Sequence, residues 1–134
     1  MLTIEQKINK PVNVVFDNLS NMDKFVKVHP IIYKIDKTAE NYYLIHEKLK
    51  FLFIPVRFKY TTLLSSNEKN KTIQFNAKIY NVLKIEMTIE LFEAGTQTQL
   101  RETVKFKTVL PITWVLKSIF KKQHHQLFLN IENN

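Results

Sequence analysis

Apolar and polar residues alternate from Leu2 to Ile8, with Leu2, Ile4 and Ile8 on one side and Thr3, Glu5 and Lys7 on the other. A period of two is that of a strand with one buried face. Gln6 falls on the apolar side. The spacing then changes. In "NKPVNVVFDNLS", Pro11 stands near a helix start, and Val12, Val15, Phe16 and Leu19 recur at helical intervals. "NMDKFVKVHP" predicts a second short helix. Met22, Phe25 and Val26 share one face of it, and Asp23, Lys24 and Lys27 the other. Pro30 forbids its continuation.

From Ile31 to Val109 the period returns to two. The predicted strands are Ile31–Asp36, Tyr42–Lys48, Val56–Leu64, Thr72–Ile79, Leu83–Phe92 and Thr98–Thr108, joined by short polar turns. That is an antiparallel meander. One hairpin can be registered in advance. With Gly95-Thr96 as a two-residue type II′ tip, Glu90 faces Arg101 and Glu86 faces Lys105 on one side. On the other side Ile89 faces Glu102, Leu91 faces Leu100, Met87 faces Val104 and Ile85 faces Phe106. Charges then pair across the strands, and Glu90–Arg101 is the expected ion pair of the outer face. The chain closes with "PITWVLKSIFKKQHHQLFLNIENN". Its apolar stripe runs from Ile112 and Val115 through Leu116, Ile119 and Phe120 to Leu127, Phe128 and Ile131, the mark of a long amphipathic helix.

Composition narrows the function. A chain of 134 residues that is 45% hydrophobic suggests one domain, 1–134, with a real core. No apolar stretch is long enough to span a bilayer. "MLTIEQKINK" lacks the basic start and apolar core of a secretory signal. Cysteine is absent, which excludes disulfides and thiolate metal sites and makes the cytoplasm the default location. The single glycine, Gly95, excludes a P-loop or a GxGxxG turn, each of which needs several. The net charge of +8 is nearly all lysine, with only Arg57 and Arg101 besides. Arginine is the better reader of phosphates and bases, so the composition argues against specific nucleic-acid binding.

The order strand, two short helices, six strands, long helix resembles the helix-grip fold of the START and polyketide-cyclase-like (SRPBCC) superfamily. The local echoes are "KPVNVVFDNLSNMDKF", similar to the opening of that family, and the closing helix. The resemblance covers the whole chain. It implies an α+β fold in which a curved seven-stranded antiparallel sheet wraps the last helix, around a cavity for a hydrophobic or amphipathic ligand. It does not settle function, because carriers, cyclases and hydrolases share the fold.

In such a fold the concave parity set faces the cavity. From it Tyr43, Glu47, Phe58, Tyr60, Phe75, Met87, Glu102 and Phe106 are the candidate ligand contacts, joined by Phe120 and His124 from the last helix. Glu47 and Glu102 stand in otherwise apolar phase. An unpaired dry carboxylate is too costly. Each therefore touches bulk water, makes a polar contact inside a pocket, or works as a general acid or base. His46 falls on the outer phase and His125 off the stripe, so both are expected to be solvated. His29 reads as the end of a helix, favouring the last carbonyls, or as a contact at the cavity mouth.

"KLKFLFIPV", Lys48 to Val56, is apolar where a connection between strands should be polar. Either the strands extend and these residues are core, or Phe51, Leu52, Phe53 and Ile54 join His29 and Trp114 at a greasy, basic mouth that touches anionic membrane. Three functions remain open. The first is binding or transport of a lipid- or polyketide-like molecule. The second is a small cyclase, hydrolase or dehydratase using cavity carboxylates. The third is a protein- or ribonucleoprotein-binding adaptor with no cavity ligand. No cofactor or metal is expected, and the chain is expected to be a monomer or a weak homodimer.

Overall fold

The structure is a computed structural model, and it describes residues 1–51 and 53–134. Strand β1 (Leu2–Ile8) is followed by helices α1 (Val12–Ser20) and α2 (Met22–Val28). Six strands come next: β2 (Ile32–Ala39), β3 (Tyr42–Phe51), β4 (Ile54–Asn67), β5 (Thr72–Ile79), β6 (Leu83–Ala94) and β7 (Gln97–Thr108). Helix α3 (Thr113–Asn133) closes the chain. The strands form a seven-stranded antiparallel sheet in the order β1-β7-β6-β5-β4-β3-β2. Each strand of the meander pairs with the next, and β1 returns to pair with β7.

Local chemistry explains the element ends. The Asn21 side chain accepts hydrogen bonds from the backbone N–H groups of Asp23 and Lys24, which caps α2. Gly95 takes φ +69° at the β6–β7 tip, the left-handed conformation a two-residue hairpin needs at its first position. The β6–β7 register is the one the sequence predicts, with Glu90 opposite Arg101 and Ile89 opposite Glu102. The outer-face ion pair differs. Arg101 Nε donates to Glu5 Oε1 at 3.0 Å, its neighbour on β1, not to Glu90. Strand β1 supplies a second acidic neighbour that the hairpin alone does not contain. Both groups are half exposed. A double-mutant cycle on Glu5 and Arg101 should return a coupling of about 0.2–1 kcal/mol. A larger value would place the pair in a drier setting than the structure does.

Several strands run further than the sequence suggests. β3 continues to Phe51 and β4 starts at Ile54, so "KLKFLFIPV" is mostly strand and turn and not a connection. Three of its apolar residues are nevertheless not core. Phe53, Ile54 and Val56 are exposed. Leu52 and the side chain of Phe51 lie outside the described residues.

The core is uneven. Val15, Leu19 and Phe25 from α1 and α2 pack with Ile89, Leu100 and Val104 of the sheet and with Leu127, Phe128 and Ile131 of α3. The C-terminal half of α3 is tied down there. Asn130 donates to the Val28 carbonyl at the end of α2, and Glu132 accepts from the Asn9 backbone. The N-terminal half of α3 is only partly covered. It lies over β3–β6 without filling the space between, and that space is the site.

Candidate functional site

A cavity of about 390 Å³ opens between the N-terminal half of α3 and the concave face of the sheet. Ile45, Phe75, Ile85 and Met87 of the sheet line it from below, and Leu116, Ile119 and Phe120 from α3 cover it. Arg57, Thr62 and Gln123 add polar atoms to this apolar chamber, and four further polar residues in its wall are His29, Glu47, Tyr60 and His124.

Each is held by a specific neighbour. Tyr60 on β4 faces Ile45 in the ladder and donates its hydroxyl diagonally to Glu47 Oε1, two residues further along β3. Burial pushes the Glu47 carboxyl above its ordinary range, and the Tyr60 hydroxyl and the nearby His124 pull part of the way back. Burial first, and then the Glu47 charge, hold the Tyr60 phenol well above its usual value.

His124 sits in the middle of α3, and its Nδ1 faces both oxygens of Glu102, at 2.6 and 2.8 Å. Glu102 is fully buried. Its two oxygens are acceptors, so Nδ1 carries the proton. Nε2 has no protein partner among the described residues and is left for the cavity. A carboxylate behind an imidazole fixes the ring orientation and tautomer, the arrangement used wherever a histidine must offer one defined nitrogen.

His29 is fixed by a different device. Its backbone N–H closes α2 on Phe25, while its ring Nδ1 accepts from the backbone N–H groups of Ile31 and Ile32, at 3.2 and 3.1 Å. The ring therefore caps the start of β2. The residue ends α2 as expected, but its ring does not meet the last helical carbonyls. Pro30 explains the difference, because it turns the chain so that the next two amides point back at the ring. Nδ1 is an acceptor, so the proton rests on Nε2. Burial, then the neighbouring His124, lowers the His29 pKa well below 6.5. The two rings stand 6.1 Å apart, edge to face.

This shift gives a pH prediction. The unfolded chain binds the His29 proton below about 6.5, whereas the folded chain does so only at much lower pH. Folding stability should fall as pH drops from about 6.5 towards the folded value. His29→Asn keeps an acceptor near Ile31 and Ile32 and removes the proton site. Urea unfolding of that variant should show a flatter pH dependence across this window. An unchanged slope would mean that another group carries it.

No family model matches the chain, and no curated protein matches it in sequence. Solved structures do match. The aromatase/cyclase ZhuI from Streptomyces sp. R1128 superposes with TM-score 0.79 at 11% identity, over 98% of this chain and 90% of that one. A conserved protein from Geobacillus kaustophilus gives TM-score 0.81 at 13% identity, over 98% and 91%. A START superfamily protein from Mycobacterium smegmatis gives 0.75 at 12%, over 98% and 94%. The chain has the helix-grip fold of the START and polyketide-cyclase-like superfamily. Identities this low speak for the fold alone.

Within this helix-grip fold the candidate residues divide. Glu47, Phe58, Tyr60, Phe75, Met87, Phe120 and His124 line the cavity, as does His29. Three candidates do not. Glu102 is sealed beneath His124. Phe106 stands behind Phe120, edge to face at 5.1 Å. Tyr43 is half-buried against the core, beyond the cavity. Strand parity put all three on the concave face, but His124 and Phe120 of α3 cover Glu102 and Phe106 there. Phe53 and Trp114 do not line the cavity either. They stand exposed at its end of the molecule.

The structure adds lining residues that parity did not single out. Ile31, Leu49 and Ile79 come from strand ends, and Leu116, Ile119 and Gln123 from one face of α3. The helical spacing of Leu116, Ile119, Phe120 and Gln123 was the usable signal, since one face of α3 must meet the sheet. Outside the cavity, His46 is half-buried and its Nε2 meets Asp36 Oδ2 at 3.0 Å, so it is not simply solvated. His125 is exposed, as expected, and meets Gln6 at 3.1 Å. Among the described residues no three metal-binding side chains converge. No helix among them is long and apolar enough to cross a membrane.

Proposed function

We propose that residues 1–134 form one ligand-binding domain, which holds an amphipathic, lipid- or polyketide-like small molecule. The apolar body lies against Ile45, Phe75, Met87 and Phe120, and the polar end meets His29, His124 and the Glu47–Tyr60 pair. The observation that carries this reading is the cavity itself, about 390 Å³ with apolar walls and a few convergent polar groups. Small-molecule sites run to roughly 300–1,000 Å³ with the same division of labour. The fixed tautomer of His29 offers a donor at Nε2, so the ligand should carry an acceptor, a carbonyl or a carboxylate. A filled interior, expected of an adaptor with no cavity ligand, is not what the structure has.

A second reading is an acid–base enzyme. It is favoured by one arrangement, a cavity-facing His124 Nε2 backed by the buried Glu102. In that reading His124 exchanges a proton with the ligand, and Glu102 holds the imidazole in place.

Native mass spectrometry of the purified protein separates the readings. A co-purifying small molecule, recovered unchanged after prolonged incubation with fresh protein, supports binding. Recovery of a converted product that disappears in His124→Phe supports the enzyme. Protein that carries nothing, and takes up no fatty acid or aromatic polyketide probe, sinks both.

A further inference from the structure

The charge of +8 is not spread evenly over the molecule. The β3–β4, β5–β6 and β7–α3 connections meet at one end of the sheet. The segments that build them, residues 48–57, 78–84 and 107–117, contain no Asp or Glu. They do contain Lys48, Lys50 and Arg57, then Lys78 and Lys84, then Lys107 and Lys117. Among the described residues none of these seven forms an ion pair. At the opposite end charges of both signs are mixed, with Glu40 in the β2–β3 turn, Glu68, Lys69 and Lys71 in the β4–β5 turn and Glu93 near the end of β6.

The same basic end carries the most exposed large apolar side chains of the turns. Phe53 is 98% exposed, Val109 91%, Trp114 75%, Tyr80 67% and Ile54 64%. Phe53 and Tyr80 also sit at φ +68° and +51°, a region that bulky residues rarely adopt. Backbone cost and hydration cost fall on the same residues, which is hard to account for if they face only water. The cavity reaches this end too. Tyr80 and Val56 line it and are themselves exposed.

We propose that this end of the molecule docks on a lipid bilayer containing anionic headgroups, with Phe53, Ile54, Val109 and Trp114 entering the interface and the surrounding cations meeting the phosphates. A bilayer is a surface that offers negative charge at the headgroups and apolar depth just beneath. Nucleic acid offers the charge, but Ile54 and Val109 have no ring to stack on a base. Docked in this way, the cavity faces the membrane, and an amphipathic molecule passes between the two without crossing open water. The docking itself does not depend on the cavity being a ligand site.

Sedimentation with vesicles tests it. One set is phosphatidylcholine alone, and the other is phosphatidylcholine with about a third phosphatidylglycerol. Binding is expected to the anionic vesicles at low salt, with a remainder that survives near-molar salt. Phe53→Ser should lower partitioning about tenfold and abolish the salt-resistant remainder. Lys48→Glu and Lys84→Glu should each lower it at least about fivefold. Phe92→Ser, an exposed aromatic away from this end, should change nothing. Four results would overturn the proposal: no binding to anionic vesicles at low salt; binding that is indifferent to Phe53→Ser; equal affinity for RNA that is likewise indifferent to that change; or a dimer in solution that Phe53→Ser dissociates.

Discussion

Glu102→Ala should lower the folding free energy by about 3–5 kcal/mol, the usual cost of removing one partner from a buried pair. Glu102 is fully buried and has His124 as its only side-chain partner among the described residues. Truncation leaves the His124 N–H facing a cavity that water fills only poorly. Glu102→Leu should not rescue it. Leucine suits the apolar parity of β7, but it still strands the imidazole. Glu102→Gln keeps an acceptor for Nδ1 and should cost about 1–3 kcal/mol, the difference between a charged and a neutral partner. The decisive variant is the double change Glu102→Leu with His124→Phe, which removes both polar groups at similar volume. It should recover most of the loss, to within about 1–2 kcal/mol of the parent. Urea unfolding with constant slope is the measurement. A Glu102→Ala protein less than about 1 kcal/mol weaker than the parent would show that the pair contributes little. If the double variant is stable but empty in native mass spectrometry, the pair serves the ligand and not the fold.

Ala77→Phe should abolish ligand uptake, with affinity falling by about a hundredfold or more, while the fold persists. Ala77 stands on β5 among larger neighbours and lines the cavity. Its side chain is partly buried against the core, and the space above it is empty. Enlarging a side chain in a filled core forces strain worth about 1–3 kcal/mol. Enlarging it into an existing void does not, and new contacts with Phe75 or Met87 should leave stability unchanged or raised. The ligand then loses the volume it needs. The paired readout is thermal unfolding together with displacement of a fluorescent fatty-acid probe. A variant that stays folded and binds the probe as before would move the ligand out of this chamber. The vesicle binding proposed above should be unaffected by Ala77→Phe, so the two sites can be separated.

Hydrophobic period by itself determined the order of elements. Period two is unambiguous in a sheet with one buried face, and the 3.6 period of α3 is long enough to read. Val12, Val15, Phe16 and Leu19 of α1 all point into the core as their spacing requires. The β6–β7 register followed from one glycine and the charges on either side of it. Sequence also marked Glu47, Glu102 and His124 as unusual, because a polar group in apolar phase must find a partner.

Which partner it finds was decided only by the tertiary structure. Parity makes Glu47 and Glu102 equivalent, yet one faces the cavity beside Tyr60 and the other is sealed beneath His124. The difference is where α3 lies, and that depends on contacts between residues far apart in the chain, such as Asn130 with Val28. His29 shows the same limit at short range. Its helix-ending position is legible, but the two amides that its ring accepts from are brought there by the turn at Pro30. The gathering of cations and exposed aromatics at one end was legible only in part, because the sequence grouped Lys48–Val56 with Trp114 but did not place residues 78–84 beside them. Those residues belong to three segments spaced through the sequence, and only the up-and-down path of the sheet brings their turns together.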